Sequence, residues 1–356
     1  MKRHEFQLDH ISGNILSPFS SLENSEMEKE GAKVESLEKN NGSNRNDCPS
    51  SVIILGSGSS GCTPEFACLI QPSDPPCKVC FDSLSLPPEQ SPNYRCNTSL
   101  LIDYCPGGSD HNYIMIDVGK TFREQVLRWF TLYKIPRVDS IILTHEHADA
   151  IHGLDDVRAL QAYRNDIDPM PIYLNQFTMD SVVEKFRYLF PSNLKEVGVG
   201  SPVSRIDWNI IDNCSEKPFT ASGLKFVPLP VMHGEGYVNL GFLFGDKYRI
   251  AYVSDVSRFP ENTENVISKY GSGVQLDLLL IDTNRLHKAS SRGSHFYFSQ
   301  TLDAVRRICP KRALLVGMSH DFDYHEHNKI LAEWSKEEGI PVQLSCDGMQ
   351  IFTDGM

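Results

Sequence analysis

Two histidines separated by a single residue stand where a predicted strand ends, and their side chains could bind one metal ion. His145 and His147 follow the apolar segment 138–143, and Asp149 comes two residues later. Alternate residues of an extended backbone point to the same side, so both imidazoles can reach one cation. Imidazole together with carboxylate favours zinc, iron or manganese over calcium or magnesium. The spacing therefore predicts a transition-metal site, with a solvated polar turn as the alternative.

The residues around this pair resemble the motif of the metallo-β-lactamase-fold hydrolases. Segment 144–149 reads Thr-His-x-His-x-Asp, and segment 153–156 reads Gly-Leu-Asp-Asp. Within that family the chain is similar to the branch that contains the phosphoribosyl cyclic phosphate phosphodiesterase of phosphonate breakdown. The resemblance covers residues 51–356 and implies an α/β fold, a four-layer αβ/βα sandwich of the metallo-β-lactamase type. It also implies a metal site along one edge of the two sheets.

Two later strand ends match the places where this family carries further metal ligands. His233 follows the apolar segment 228–232, and Asp255 follows segment 252–254. The resemblance implies that these residues supply the third histidine and the bridging carboxylate. Three imidazoles, Asp255 and a water would form a catalytic type of site with an open position. Taken singly, His233 could equally be a core or loop histidine, and Asp255 a strand-end cap.

Another strand end and a later histidine match supporting positions of the family. Asp117 ends segment 113–117 and resembles the aspartate that accepts the second ring N–H of a ligand histidine, which fixes the tautomer. His295 resembles the family's mobile catalytic histidine, which can protonate a leaving alkoxide or position the phosphate. The alternatives are a turn aspartate and a histidine at a helix start without a chemical role.

The second metal site of binuclear relatives is incomplete in this chain. The resemblance implies ligands at the positions of Asp149, Asp255, Ala150 and Gly317, and the last two residues have no ligand atom. We therefore expect one tightly bound active-site metal, with Asp149 orienting a water or a more weakly bound second ion. His152 remains a candidate to replace the ligand that is lost at Ala150.

An array of cysteines indicates a separate metal site. Cys68, Cys77 and Cys80 are spaced as Cys-x8-Cys-x2-Cys, and a Cys-x-x-Cys pair in an intracellular protein is typical of zinc binding. The resembling phosphodiesterase holds a structural zinc with three early cysteines and a late histidine, and His320 falls at that histidine. We expect a structural zinc on these four residues, with a redox pair or buried free thiols as the alternatives.

Composition argues against several classes of protein. The 356 residues carry a net charge of −12, which disfavours attraction to long nucleic acids or anionic membranes. No apolar run approaches the roughly 20 residues needed to cross a bilayer. The N-terminus resembles neither a secretory signal nor a transit peptide, and the ten cysteines are typical of free thiols and metal ligands. We expect a cytoplasmic protein with a disordered tail over residues 1–49 and a hydrolase domain over residues 50–356.

Strands and helices must bring these side chains together. The strand patterns come in clusters that are followed by helices, which favours two mixed sheets covered by helices over a strictly alternating doubly wound fold. Strands are predicted at 51–55, 98–103, 113–117, 140–143, 171–174, 225–229, 240–244, 249–253, 276–281, 313–316 and 341–344. Helices are predicted at 122–133, 154–163, 179–190, 299–309 and 328–338.

The residues and the resemblance together predict a metal-dependent hydrolase, a phosphodiesterase that cleaves a small cyclic or diester phosphate with a metal-bound hydroxide. His295 would assist the leaving oxygen, and zinc or manganese would occupy the active site. The expected partner is a small phosphorylated substrate, not a long nucleic acid or a membrane, and a homodimer stays open. The alternatives are a non-catalytic metal- or ligand-binding member of the fold, and a hydrolase of a thioester or other non-phosphate ester.

Overall fold

Short, mostly apolar strands form two seven-stranded sheets in the computed structural model, which describes residues 49–107, 110–161, 168–190, 205–287, 293–353 and 356. The strands are β1 (Ser50–Gly56), β2 (Ser99–Tyr104), β3 (Asn112–Ile116), β4 (Ser140–Ile142), β5 (Met170–Leu174), β6 (Ile206–Ile210), β7 (Phe219–Ala221), β8 (Leu224–Met232), β9 (Val238–Phe244), β10 (Ile250–Val253), β11 (Leu278–Asp282), β12 (Ala313–Val316), β13 (Val342–Leu344) and β14 (Gln350–Thr353). The predicted tail over residues 1–49 lies outside the described residues, apart from Pro49.

Each sheet is antiparallel in one half and parallel in the other. The first sheet has the order β14-β1-β2-β3-β4-β5-β6, in which β3 to β6 run parallel. The second has the order β13-β12-β11-β10-β9-β8-β7, in which β10 to β13 run parallel. Parallel neighbours end at the same edge of a sheet, and this edge is where ligands bind in open α/β sheets. The residues that follow β3 and β4, and those at the ends of β10 and β11, are therefore placed side by side.

Helices cover the outer faces of the sheets. A π-helical turn (Val126–Phe130) joins α3 to α4, and 3-10 turns lie at His152–Asp156 and Arg187–Leu189. None of the helices in the described ranges is long and apolar enough to cross a bilayer. The α-helices are α1 (Phe66–Ile70), α2 (Lys78–Asp82), α3 (Phe122–Gln125), α4 (Thr131–Tyr133), α5 (Ala148–Ile151), α6 (Val157–Leu160), α7 (Gln176–Lys185), α8 (Glu261–Ile267), α9 (Lys269–Ser272), α10 (Phe298–Ile308) and α11 (Tyr324–Glu338).

Three apolar layers hold the sheets and helices together. The central layer joins the facing sides of the two sheets, with Ile54 from the first and Phe242 from the second. Trp129 belongs to a layer between the first sheet and its helices, and Val305 to a layer between the second sheet and its helices. The molecule is therefore layered as helix, sheet, sheet and helix, which confirms the predicted four-layer α/β sandwich.

The predicted strands all correspond to observed strands, and the unpredicted strands share a position. Each of β6, β7 and β14 forms the edge of its sheet. Edge strands are short and less apolar because one side of the backbone is unpaired, so their sequence patterns are weak. The predicted helix at 122–133 contains the π-helical turn, and the helix predicted at 154–163 extends beyond the described residues at its end.

Candidate functional site

Three histidines from the two sheets meet at the edge where their strands end. His145 and His147 follow β4, and His233 follows β8. The ring centroids lie between 4.6 and 5.5 Å apart, and each ring offers a nitrogen within 4.8 Å of the other two. The Nε2 atom of His233 lies 3.3 Å from Nδ1 of His147. The structure thus brings together the three imidazoles that the sequence analysis assigned to one metal.

His145 gives the clearest indication that these rings face a metal ion. Its side chain is buried, and Nε2 has no hydrogen-bond partner among the described residues. Burial and the neighbouring imidazoles hold the pKa of His145 well below its ordinary value, so the ring is neutral. Its Nδ1 lies 2.8 Å from the hydroxyl of Thr144, to which it can donate. That tautomer leaves a lone pair on Nε2, which is the form in which histidine binds metal.

Asp117 supports His145 through a threonine rather than by direct contact. The backbone N–H of Thr144 donates to Oδ1 of Asp117 at 2.8 Å, and the Thr144 hydroxyl lies 2.9 Å from Oδ2. The hydroxyl therefore donates to the carboxylate while it accepts the Nδ1–H of His145. We expected Asp117 to accept the histidine N–H itself, and the interposed hydroxyl corrects that expectation. Through Thr144 the carboxylate is placed to favour the His145 tautomer that is protonated at Nδ1.

His233 is oriented by the segment that carries His295. Its Nδ1–H donates to the backbone carbonyl of Ser294 at 2.7 Å, which leaves Nε2 for the histidine cluster. The chain then turns at Gly234, whose φ of +91° is accessible to glycine at little cost. The N–H of Gly234 donates to the hydroxyl of Ser257 at 2.9 Å. These contacts fix the ring where β8 ends.

A second group of ligand atoms shares His233 with the first. His233, Asp255 and His295 each offer an atom within 4.8 Å of the other two, and His295 Nδ1 lies 3.7 Å from Asp255 Oδ1. Among the described residues, Asp149 belongs to neither group. Burial raises the pKa of Asp149, and the nearby Asp255 carboxylate raises it further because two negative charges repel each other. Asp149 therefore lies beside the centre, and Asp255 lies within it.

Asp282, which the sequence analysis missed, forms a pair with His295. Asp282 ends β11 and is fully buried, and its Oδ2 accepts the Nδ1–H of His295 at 2.8 Å and the backbone N–H of Val256 at 3.1 Å. Burial by itself would lower the pKa of His295, but the carboxylates of Asp282, Asp255 and Asp149 raise it to about 9. His295 therefore holds its proton at neutral pH. The ring is fixed through Nδ1, which leaves Nε2 for a substrate.

Asp282 also occupies space next to Gly317, the position at which the family resemblance implies a second-site histidine. Gly317 has a φ of +76°, and a Cβ atom there would lie 2.3 Å from Oδ1 of Asp282. A side chain at this position would displace the carboxylate that orients His295. A sequence signal for Asp282 existed, because segment 278–282 is an apolar strand that ends in aspartate, as does segment 113–117.

The position of the other missing histidine is taken up by backbone packing. Ala150 is buried in α5, and its carbonyl accepts the N–H of Val118 at 2.8 Å. His152, the candidate replacement, lies with its ring 6.0 Å from the ring of Phe186 and joins neither ligand group of the described residues. The geometry therefore gives no support to His152 as a substitute ligand.

The four residues assigned to a structural zinc also lie together. Cys68, Cys77, Cys80 and His320 each offer a ligand atom within 4.8 Å of the others. Nδ1 of His320 lies 3.5 Å from Sγ of Cys68 and 3.3 Å from Sγ of Cys77, while its Nε2 lies 2.8 Å from a carboxylate oxygen of Glu65. A carboxylate on the second ring nitrogen is the usual support of a ligand histidine. Three thiolates and one imidazole fit a closed tetrahedral zinc site.

The approach to the histidine cluster is aromatic, and the sequence analysis missed this feature. Tyr237 stacks on His147 with ring centroids 5.3 Å apart and planes 9° apart, and its hydroxyl donates to the Glu146 carboxylate. The exposed ring of Phe177 contacts Tyr237 edge-on at 5.8 Å. Nζ of Lys185 donates to the backbone carbonyl of Glu146 at 2.7 Å. No local pattern marks these residues, because separate elements bring them together.

Comparison with known proteins agrees with this architecture. Residues 112–318, more than half of the chain, match the family model of the beta-lactamase superfamily domain. A protein of Porphyromonas gingivalis (strain ATCC BAA-308 / W83) named octanoyltransferase is 29% identical over 305 residues, which are 84% of this chain and 52% of that protein. This chain therefore spans about half the length of that relative.

Solved structures show the same fold over nearly the whole described chain. A diphosphatase from the PhnP family is 27% identical with a TM-score of 0.66, and the match covers 86% of this chain and 98% of that one. Zn²⁺-bound PqqB from Methylobacterium extorquens is 17% identical with a TM-score of 0.61, covering 85% and 99%. Human tRNase Z, short form, is 16% identical with a TM-score of 0.53, covering 85% and 98%. The chain belongs to the beta-lactamase superfamily and is a metallo-β-lactamase-fold member of it.

Proposed function

We propose that this chain is a metal-dependent hydrolase that cleaves a small cyclic or diester phosphate. The observation that carries the proposal is the buried Nε2 of His145, which has no hydrogen-bond partner among the described residues and lies with two further imidazoles. An unpaired buried nitrogen is costly unless a metal ion binds it. The similarity to a diphosphatase from the PhnP family, at 27% identity, supports a phosphate as the reacting group.

The metal would be held by His145, His147, His233 and Asp255. Imidazole and carboxylate ligands suit zinc and manganese alike. When bound, such an ion supplies a Lewis acid and lowers the pKa of a coordinated water. The side chain of His147 is 47% exposed, so the centre is accessible to a substrate. Asp149 would orient a water or a more weakly bound second ion next to Asp255.

His295 would act as the general acid of the reaction. Its Nδ1–H is held by Asp282, which fixes the ring and would leave Nε2 for the substrate. The Nε2 proton would pass to the oxygen that leaves phosphorus as the P–O bond breaks. Asp282 would stabilise the imidazolium before this transfer. The neutral ring would then recover a proton from solvent.

The cysteine cluster would bind a zinc ion that stabilises the fold. Its four ligands leave no open position for a substrate, which is typical of structural zinc. A cytoplasmic location is part of this proposal, because cysteine ligands stay reduced in that compartment.

The experiment that tests the proposal is hydrolysis by the purified full chain with added zinc or manganese. Suitable substrates are bis-p-nitrophenyl phosphate and ribose cyclic phosphate. Turnover that is lost in His147→Ala and kept in His325→Ala would support a metal-dependent phosphodiesterase. Metal binding without turnover of any phosphodiester or ester would contradict it and favour a non-catalytic, ligand-binding member of the fold.

A second candidate function is the hydrolysis of a thioester or another carboxylic ester. The name of the Porphyromonas gingivalis relative, octanoyltransferase, refers to an acyl group. The same residues could serve this reaction, because it also needs an activated water and an acid for the leaving group. An octanoyl thioester assayed beside the phosphodiesters separates the candidates, since faster thioester turnover would replace the first proposal by the second.

A further inference from the structure

We propose that Phe177 and Tyr237 form a stacking surface for a nucleobase, so that the substrate is a phosphate ester derived from a nucleotide. This inference rests on the proposed phosphodiesterase function and specifies the group attached to the phosphate. Aromatic side chains that are exposed beside a polar edge are a common means of binding bases, because every base has a flat face that stacks.

The stacking surface begins at the metal ligands. Tyr237 lies almost parallel to His147. Phe177 contacts Tyr237 edge-on, with the two ring centroids 5.8 Å apart. Phe177 is 57% exposed although it is a large apolar ring. An exposed apolar ring contributes little burial free energy to folding. Its position next to an exposed metal ligand therefore favours a role in substrate binding over a role in stabilising the fold.

Beyond Phe177 the surface continues as a groove whose edges are polar. Gln176 and Phe177, at the start of α7, line one side, and Ile210, Asp212 and Asn213 line the other. Ile210 is half exposed and ends β6, the edge strand of the first sheet. Gln176 already donates to Asp180, and Asp212 pairs with Lys217, so the side chain of Asn213 and the amide oxygen of Gln176 remain for the edge of a base. Ile211 and Cys214 also line the groove, so an acyl chain is the alternative occupant that the test must exclude.

Positive charge near the metal ligands fits the phosphate of such a substrate. Lys185 is the last residue of α7, at the end opposite Phe177. Its ammonium group donates to the backbone carbonyl of Glu146, the residue between the two ligand histidines. Lys120 donates to the carbonyl of Ser60 and follows Gly119, whose Cα packs against the backbone of Asp149. The carboxylates of Glu146, Asp149, Asp255 and Asp282 lie around the same centre, so the lysines and the metal ion would together have to offset them. Base and phosphate would therefore bind at neighbouring positions.

The test compares ligands that differ only in the base. Isothermal titration of the metal-loaded full chain with adenosine 5′-monophosphate and with ribose 5-phosphate measures the contribution of the ring. We expect adenosine 5′-monophosphate to bind roughly tenfold more tightly or better, because stacking of one base contributes this much. Phe177→Ala should remove most of the preference, and Phe177→Tyr should keep it.

A matched control is available on the opposite edge of the same sheet. Phe352 on β14 is 54% exposed, nearly the same as Phe177, and Phe352→Ala should leave the preference unchanged. Equal affinity of the wild type for both ligands, or a preference that survives in Phe177→Ala, would overturn the inference. Tighter binding of octyl phosphate than of adenosine 5′-monophosphate would also overturn it, because the groove would then accept an acyl-like chain.

Hydrolysis separates this inference from the proposed function on which it rests. Nucleoside 2′,3′-cyclic phosphate and ribose cyclic phosphate contain the same bond and differ in the base. If both are cleaved with the same kcat/KM, the phosphodiesterase proposal stands and the stacking surface does not. If the base improves binding but no diester is cleaved, the stacking surface stands and the phosphodiesterase proposal does not.

Discussion

The two candidate metal centres of this molecule differ in the chemistry of their ligands and in the exposure of one ligand histidine. The cysteine cluster offers three thiols and one imidazole, and Cys80 within it is fully buried. The histidine cluster offers imidazoles with one carboxylate, and the side chain of His147 is 47% exposed. A closed set of four ligands suits a metal that stabilises the fold, whereas a set with an open side suits a metal that meets substrate. Ligand type, together with the exposure of His147, therefore distinguishes the two roles.

The two centres also depend on different parts of the chain. Cys68, Cys77 and Cys80 lie within one short segment, and only His320 comes from a distance. The histidine cluster is assembled from strand ends of both sheets, so its geometry follows from the whole fold. Substitutions in the first cluster should mainly change stability, and substitutions in the second should mainly change chemistry. The following variants test that contrast.

Replacement of His147 by alanine should have the largest effect on activity. Loss of a metal that provides several kcal/mol of transition-state stabilisation corresponds to a decrease in kcat/KM of about a thousandfold. The partly exposed position of His147 predicts that the melting temperature changes little. Steady-state kinetics and thermal unfolding measure the two effects, and elemental analysis measures the bound metal. His325→Ala, at an exposed histidine of α11, should keep both metal and activity. If His147→Ala retains its metal and its turnover, the open centre is not the catalytic one.

Replacement of Cys80 by serine should affect stability instead. The serine hydroxyl is a poor zinc ligand, and zinc binding contributes directly to folding free energy. We expect release of one zinc and a melting temperature lower by about 5–10 °C, since each kcal/mol corresponds to about 2–4 °C in a domain of this size class. Calorimetry and a zinc-sensitive dye measure this. Cys96→Ser is the control, because Cys96 is equally buried but outside the cluster. Similar shifts in both variants without zinc release would show that the cluster binds no metal.

Replacement of Asp282 by asparagine tests the support of the open centre without removing a metal ligand. Asparagine keeps the size of the side chain but loses the charge that orients His295 and raises its pKa. We expect kcat to fall by about 10- to 100-fold, with the metal content and KM nearly unchanged. Because a general acid is active below its pKa, the alkaline limb of the pH–rate profile should move to lower pH.

Asp277 provides the matched control for this variant. It directly precedes the first residue of β11, whereas Asp282 is the last. Its carboxylate forms an ion pair with Lys311 at 2.7 Å. Asp277→Asn should leave kcat and the pH profile as in the wild type. A decrease in activity of equal size in both variants, without a shift of the pH profile, would assign Asp282 a purely structural role.

The sequence located the residues of the two clusters where they lie close together in the chain or follow strands with strong patterns. His145 with His147, and Cys77 with Cys80, have spacings that only a few functions require. His233 and Asp255 could be placed because each follows an apolar strand of the recognised family pattern. The four-layer fold followed from the same patterns, since buried strands and helices differ clearly in period.

The residues that were missed have roles that appear only after the sheets are assembled. Asp282 looks like any aspartate at a strand end until β11 lies next to β10 and its carboxylate reaches His295. Phe177 and Tyr237 belong to different elements, and no spacing in the chain relates them. The interposed hydroxyl of Thr144 was missed for a similar reason, since only the coordinates show which atom His145 touches.

Replacement of Gly317 by alanine should change activity less than the substitutions at His147 and Asp282, and it addresses why glycine stands where the resemblance implies a second-site histidine. Gly317 and Gly339 have φ values of +76° and +71°, so alanine costs about 1–2 kcal/mol of backbone strain at either position. Gly339 has open space around it, whereas a Cβ at Gly317 would lie 2.3 Å from Oδ1 of Asp282. We expect Gly317→Ala to be less stable than Gly339→Ala by about a further 1–3 kcal/mol. Its kcat should also fall, because the Asp282 carboxylate must move.

Denaturant unfolding and kinetics of the two glycine variants together decide between two accounts of this site. If only Gly317→Ala loses the additional stability and part of its kcat, the Asp282–His295 pair has replaced the second-site histidine, and the two cannot coexist. If both variants lose the same stability and keep kcat, Asp282 can move aside at no cost. Gly317 would then mark only the loss of a ligand. The open centre would in that case lack this ligand without having gained the Asp282–His295 pair in its place.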